Sequence, residues 1–134
     1  MKVTVIIERG NDGTYTAHFS DRRMPFGLIG DGKSAKEAIE DFYGALEDMR
    51  EYYKETGKAF PKDVEYEFKY DMPSFLQHYA YAFTLAGLER ITGVNQGQLS
   101  HYISGVRNPS EKTVRKIESR IHSFAQEISS VSFI

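Results

Sequence analysis

The sequence contains no cysteine. The chain can therefore form neither disulfide bonds nor thiolate metal sites, which fits a reducing compartment. It also lacks any apolar run close to the roughly 18 residues that a membrane-spanning helix needs. The opening residues alternate in polarity and are too short an apolar stretch for a secretory signal peptide, so we expect a cytoplasmic protein.

An excess of positive charge is also missing, because the formal net charge of the 134 residues is -2. With 40% hydrophobic and 27% charged residues, the composition is typical of one or two small soluble globular domains. The charge is unevenly distributed about Pro73. Residues 1–73 hold 11 basic and 15 acidic side chains, a net -4, whereas residues 74–134 hold 6 and 4, a net +2.

The basic half contains a helix-turn-helix pattern. Leu88 lies on a short first helix, Gly93 supplies the turn geometry, and Val94 closes the turn from inside. Asn95 then opens a second helix, whose inward residues recur three or four positions apart: Leu99, Tyr102 and Ile103. The outward residues of that helix are Gln96, Gln98 and His101.

The outward residues suit a nucleic-acid ligand. Glutamine can form two hydrogen bonds with adenine, so we expect Gln96 and Gln98 to contact bases, and Gly97 permits close approach. Asn95 is predicted to cap the helix and to contact phosphate. The predicted backbone contacts are Ser100, Arg107 and Asn108. His101 either touches a base or phosphate or is a solvated polar residue.

A pair of short helices separated by glycine also occurs in plain helical bundles. The spacing from Leu88 through Gly93 to Gly105, with the Arg107-Asn108-Pro109 exit, favours DNA binding. These residues resemble the Cro/C1-type, or XRE-type, helix-turn-helix family. Two positions depart from the family pattern: Glu89 replaces the usual alanine, and Ile103 replaces a commonly charged residue. We expect Glu89 to face solvent or a basic neighbour.

Two further helices flank the pattern. Residues 73–83 are predicted to form a bracing helix, and residues 110–129 a last helix with apolar positions at Val114, Ile117, Ile121, Phe124 and Ile128. The tail from Val131 to Ile134 stays apolar, and an exposed apolar tail is an aggregation liability, so we expect a dimer contact there. The few cations of this half also predict modest affinity for one copy. A dimer would place its half-sites about 34 Å apart.

The acidic half has a different pattern. Residues 2–8 and 14–19 predict a β-hairpin, residues 26–29 a short third strand, and residues 64–70 a half-buried strand. Between the last two, the Ser34 and Glu37 capping box begins a helix that ends near Gly57. The order is β-β-β-α-β, and the fold class is α+β: a sheet with one covering helix, then an all-α domain. Such a sheet leaves an open face or edge, which favours an interaction domain.

Several segments of this half resemble the HicB antitoxin family: the strand from Met1-Lys2 to Ile7, the Asp12-Gly13-Thr14-Tyr15 turn, and the helix start at residues 32–38. The resemblance implies a partial ribonuclease-H-like, toxin-binding domain at residues 1–71, followed by the DNA-binding domain at residues 72–134. It further implies the antitoxin of a type II toxin-antitoxin pair. Such a protein neutralises a HicA-like mRNA-cleaving toxin and represses its own operon.

Three other functions remain open. The first is an ordinary helix-turn-helix regulator whose N-terminal domain binds a ligand or multimerises, with no toxin. The second is a metal-dependent nuclease, although the loop carboxylates Asp12, Asp21 and Asp31 lie where turns favour aspartate. The third is a protein-protein adaptor that has lost DNA binding.

We expect neither an enzyme nor a cofactor. The four histidines have no chelating spacing, so no metal site is expected: His18, His78, His101 and His122. The tyrosines at residues 66, 70, 79 and 81 are assigned to core packing rather than to base stacking.

Overall fold

The computed structural model describes all residues from Met1 to Ile134. The chain divides into two compact units, Met1–Asp71 and Met72–Ile134, which we name the sheet unit and the helical unit. Four strands and one helix form the first, and four helices form the second, which confirms the α+β class. None of the five helices has both the length and the apolar character needed to span a bilayer.

The sheet has the strand order β3-β2-β1-β4. Its strands are β1 Lys2–Arg9, β2 Tyr15–Phe19, β3 Ile29–Gly32 and β4 Glu65–Tyr70. β1 pairs antiparallel with β2 and parallel with β4, and β2 pairs antiparallel with β3. The predicted hairpin is confirmed. In its turn, Asp12 Oδ1 accepts hydrogen bonds from the hydroxyl and the backbone N–H of Thr14, and these bonds lower the pKa of Asp12.

The third strand lies three residues later than the sequence predicted. It spans Ile29–Gly32 instead of residues 26–29, so Asp31 lies in a strand rather than in a turn. Phe26 packs in an aromatic cluster, with its ring 5.5 Å from that of Phe60. A Cβ on Gly30 would lie 2.3 Å from the carbonyl oxygen of Ala38. The covering helix therefore packs directly on the strand backbone, and only glycine fits.

The covering helix is α1, Ala35–Glu55. Ser34 caps it, with its Oγ accepting a hydrogen bond from the N–H of Glu37 at 3.1 Å, while the Glu37 carboxylate accepts from the N–H of Lys33 at 2.7 Å. Gly57 follows the helix with φ +72°, as predicted for a residue just past a C-cap. Phe42, on the inner face of α1, is fully buried against the sheet, with its ring 5.4 Å from Phe19 and 5.7 Å from Phe68. The hydrophobic core thus fills one face of the sheet.

The helical unit contains α2 Met72–His78, α3 Leu85–Thr92, α4 Gln96–Ser104 and α5 Glu111–Ser129. Its buried apolar core is aliphatic apart from one tyrosine: Leu76, Leu88, Val94, Leu99, Tyr102 and Ile117. The bracing helix was predicted to continue to Phe83, and this is wrong. It ends at His78, and turn bonds such as Ala82 N–H to Tyr79 O at 3.0 Å follow, although Phe83 still packs against the core.

Candidate nucleic-acid interface

The turn between α3 and α4 is built by three consecutive residues. The Thr92 hydroxyl, fully buried, donates to the carbonyl of Leu88 at 2.7 Å and accepts from the N–H of Val94 at 3.2 Å. Gly93 has φ +75°, and its N–H bonds the carbonyl of Glu89. A side chain is strained at that φ, so glycine permits the tight turn. Val94 is buried as predicted.

Two side chains hold the N-terminal end of α4. Asn95 is its N-cap, and its Oδ1 accepts from the N–H of Gln98 at 2.8 Å. Glu89 was expected to face solvent or a basic neighbour. It is partly exposed, and its carboxylate accepts from the backbone N–H of Gln96 at 3.2 Å. A carboxylate here complements the positive end of the helix dipole and orients the start of α4.

The other end of α4 is tied to α2. Gln77 Nε2 donates to the carbonyl oxygen of Ile103 at 2.7 Å. Ile103 is half-buried against the core, which accounts for an apolar residue where the resembled family commonly has a charge. Gly105 ends the helix with φ +80°. The helix is therefore fixed at both ends by side chains from α2 and α3.

The surface of α4 that faces solvent carries the predicted site residues. Gln96, Gly97, Gln98, Ser100 and His101 are all exposed, while Leu99 and Tyr102 are buried. Successive residues of an α-helix turn by about 100°, so Gln96 and Gln98 stand at the two edges of an exposed arc of about 200°. Gly97, Ser100, His101 and Ser104 lie between them. Gly97 leaves the middle of this face without a side chain, and Ser104 was not predicted.

A short loop leaves the helix beside this face. Arg107 and Asn108 are both exposed, and the N–H of Arg107 bonds the carbonyl of His101 at 3.3 Å. Ser110 then caps α5, with its Oγ accepting from the N–H of Thr113. The loop is thus anchored at both ends, which holds the Arg107 backbone next to α4.

The basic residues of the helical unit are all exposed: Arg90, Arg107, Lys112, Arg115, Lys116 and Arg120. Lys116 lies beside the turn, because a Cβ on Gly93 would be 3.4 Å from its Nζ. Arg115 forms an ion pair with Glu111 at 3.9 Å, and both side chains are largely exposed, so the pair contributes little. These cations are accessible to phosphate groups.

The carboxylates considered for a nuclease do not converge. Asp21 accepts from the backbone N–H of Arg23 at 3.0 Å and also pairs with its guanidinium, so Asp12 and Asp21 both form turn bonds. No group of three or more His, Asp or Glu side chains is arranged to hold a metal ion. His18 instead lies 3.1 Å from a carboxylate oxygen of Glu8.

Comparison with known families agrees with this geometry. A family model described as helix-turn-helix matches residues 82–122, which include α3, α4 and the first part of α5. No curated protein and no solved structure matches the chain significantly. Residues 82–122 of the helical unit therefore resemble a helix-turn-helix domain, a class of DNA-binding regulatory domain.

Proposed function

We propose that the chain is the antitoxin of a type II toxin-antitoxin pair. Its sheet unit neutralises a HicA-like mRNA-cleaving toxin, and a dimer of its helical unit represses the operon by binding operator DNA. The role is inhibition and repression, with no catalysis and no cofactor. The observation that carries the proposal is that one chain joins a helix-turn-helix domain to an acidic unit with an uncovered sheet face.

On DNA, α4 enters the major groove with its N-terminal turn towards the base edges. Gln96 and Gln98 contact bases from two sides of Gly97, and His101 contacts a base or phosphate. The remaining contacts go to the sugar-phosphate backbone: Asn95, Ser100, Arg107 and Asn108. Two half-sites about 34 Å apart receive the two copies.

The open sheet face suits a basic protein. Val3, Val5 and Ile7 are buried, so alternation places Lys2, Thr4, Ile6 and Glu8 on the opposite face. On the neighbouring strands the strand register adds further charged residues to that face: Asp31, Glu65, Glu67 and Lys69. Four carboxylates against two lysines give this face a negative charge. A toxin that binds RNA presents cations, so the charges of the two surfaces are complementary.

The proposal is tested by co-expressing the tagged full-length chain with the small protein encoded by its neighbouring gene. We expect the neighbour to co-purify and its RNA cleavage to be inhibited. A charge-reversed sheet face, E8K/E67K, should release an active ribonuclease. The matched control R107E reverses a charge in the helical unit, so it should still bind the toxin but should no longer bind DNA. If the neighbouring protein is recovered free and active in the presence of the unmodified chain, the antitoxin role is refuted, whereas repression of the operon is not.

One observation favours an ordinary regulator as a second candidate. A mostly apolar cavity of about 720 Å³ lies at the loop between β2 and β3, lined by Phe19, Met24, Phe26 and Leu28 among others. A small apolar ligand bound there would make the sheet unit a sensor. Ligand-induced thermal stabilisation without any neighbour binding would favour this candidate over the antitoxin.

A further inference from the structure

The two edges of the sheet differ in how their backbone groups are used. β3, at one edge, has only four residues. The carboxylate of Asp41, on α1, accepts from the N–H of Asp31 at 2.8 Å. The Glu37 carboxylate accepts in the same way from the N–H of Lys33, just after the strand, at 2.7 Å. These side chains occupy donors that an added strand would need, so β3 is protected against pairing with another chain.

β4, at the opposite edge, has six residues and no such protection. The N–H of Glu65 bonds the carbonyl of Met1 at 2.9 Å, and the parallel register with β1 continues from there. Because the direction of the backbone groups alternates along a strand, the odd-numbered residues of β4 bond β1. The N–H and C=O groups of Tyr66 and Phe68 therefore point to the open edge, where no side chain or loop bonds them.

The inner side of β4 is only partly covered by its own unit. α1 packs chiefly against β2 and β3, and it reaches β4 through Tyr43, whose ring lies 5.6 Å from that of Phe68. Tyr43 is 44% exposed, and Tyr66 and Phe68 are half-buried. A strand added at this edge would therefore bury further apolar surface as well as form backbone hydrogen bonds.

We propose that β4 pairs antiparallel with β4 of a second copy, about a two-fold axis at Phe68, and so joins two four-stranded sheets edge to edge. In a two-fold dimer one surface must complement itself. The axis is perpendicular to the sheet, so the polar outer faces of both copies form one continuous surface. The pairing goes beyond the proposed function, because it needs neither a toxin nor DNA.

The charges along β4 select this register. Only residues with outward backbone groups can exchange hydrogen bonds across the axis, so even-numbered residues lie opposite even-numbered ones. With the axis at Phe68, Glu67 of each copy lies opposite Lys69 of the other, and no like charges meet within the strands. Glu65 falls opposite Asp71, which follows the strand and has a buried carboxylate oxygen. An axis at Glu67 or at Lys69 would place two like charges directly opposite each other, which is destabilising.

The side chains that meet at the axis are accessible in one copy. Lys69 is 60% and Glu67 40% exposed, and Lys69 Nζ lies 3.7 Å from a carboxylate oxygen of Glu67. In the dimer each of them gains a second partner from the other copy, which gives four charges of alternating sign on the outer side. On the inner side the two Phe68 rings lie opposite each other, and cross-strand aromatic pairs are stabilising.

Engineered cysteines test the register, because the chain has none of its own. In the proposed dimer the Cα atoms of residues 67 and 69 of opposite copies are about 4.5 Å apart, which a disulfide can span. The two copies of residue 67 are about 7–8 Å apart, which is too far. An equimolar mixture of E67C and K69C chains should therefore form a disulfide-linked dimer, and neither variant alone should. No crosslinking in the mixture, or equal crosslinking of one variant alone, would overturn the proposal.

Sedimentation equilibrium of the full-length chain, without DNA or toxin, tests the charges. The unmodified chain should dimerise. E67K and K69E should each raise the dimer dissociation constant about tenfold, because each creates two like-charge contacts. An equimolar mixture of the two variants should restore it to within about threefold, because their charges are complementary. Neither position is buried, so circular dichroism should be unchanged.

The control variant D31K reverses an exposed charge on the protected strand β3 and should leave the dissociation constant unchanged. A monomeric unmodified chain, an E67K dimer as tight as the unmodified one, or a mixture no tighter than the single variants would overturn the pairing of β4. Since no ligand is present, these outcomes do not depend on whether the chain binds a toxin or an operator.

Discussion

The two units of this chain differ in charge, in core and in the surface that they expose. The sheet unit is acidic, is built around aromatic rings packed on one side of a sheet, and presents its other side as a broad polar face. The helical unit is basic, has a small aliphatic core, and presents one narrow helix whose two ends are held by hydrogen bonds. A broad charged face suits a folded protein partner, whereas a narrow helix with amide side chains suits a DNA groove.

The largest expected effects are losses of stability from core substitutions, each confined to one of the two units. Phe42→Ala removes a fully buried ring in contact with Phe19 and Phe68, and should cost about 3–5 kcal/mol in the sheet unit. Ile117→Ala, at a fully buried position of the helical unit, should cost about 2–5 kcal/mol there. Hydrogen exchange of the full chain should show loss of protection confined to the mutated unit. Equal loss in both units would contradict two separate cores.

Two glycine substitutions test whether α1 packs directly on β3. Gly30→Ala should destabilise it by about 1–3 kcal/mol or more, because the new Cβ meets backbone atoms of α1. Gly44→Ala is the matched control within α1, where nothing lies within 4 Å of the added Cβ. It should stabilise the unit by about 0.5–1 kcal/mol. Denaturant unfolding measures both, and equal signs would be inconsistent with direct packing of α1 on β3.

Two substitutions test the exposed face of α4 and the loop after it, one by its effect on sequence preference and the other by its effect on salt dependence. Gln98→Ala should weaken binding to the preferred operator by about 1–3 kcal/mol and relax sequence preference at one base pair. Arg107→Ala should weaken all sequences alike and lower the slope of log K against log salt by about one unit. Titration of operator and scrambled duplexes distinguishes them. An unchanged sequence preference in Gln98→Ala would reject the base contact.

The smallest effect concerns Glu89. Glu89→Gln keeps an oxygen acceptor for the Gln96 N–H but removes the negative charge from the start of α4. It should destabilise the helical unit by about 0.3–1 kcal/mol through the helix dipole. DNA affinity should rise modestly, because a carboxylate near phosphate is repulsive. Thermal unfolding and low-salt DNA titration measure these opposite changes, and a fall in affinity would show that Glu89 acts only by positioning α4.

Local signals in the sequence predicted most elements. The hairpin, β4, α1 and the helix caps at Ser34 and Asn95 were predicted because they depend on turn residues, alternation and hydrogen bonds within three residues. The prediction for β3 was wrong for two reasons. Phe26 is apolar but packs in a loop, against Phe60. Gly30 lies in the strand because α1, which follows later in the chain, packs directly on its backbone and leaves no room for a side chain.

At the candidate interface, too, local features could be predicted and contacts between distant residues could not. The exposure of Gln96, Gln98 and His101 follows from helical periodicity alone. The contacts that fix α4 join Gln77 to Ile103 and Glu89 to Gln96. Neither contact has a local sequence signal, because each forms only after separate helices have packed. Helical periodicity therefore identified the exposed face but not the residues that position it.

If α4 reads DNA sequence, the full-length chain must distinguish its own promoter from other DNA. Fluorescence anisotropy should be measured with the promoter duplex and with a scrambled duplex of equal length at two salt concentrations. We expect the chain to bind the promoter at least about 10³-fold more tightly than the scrambled duplex, and both affinities to fall as salt rises. Equal affinity for the two duplexes, or no binding at low salt, would show that α4 does not read DNA sequence.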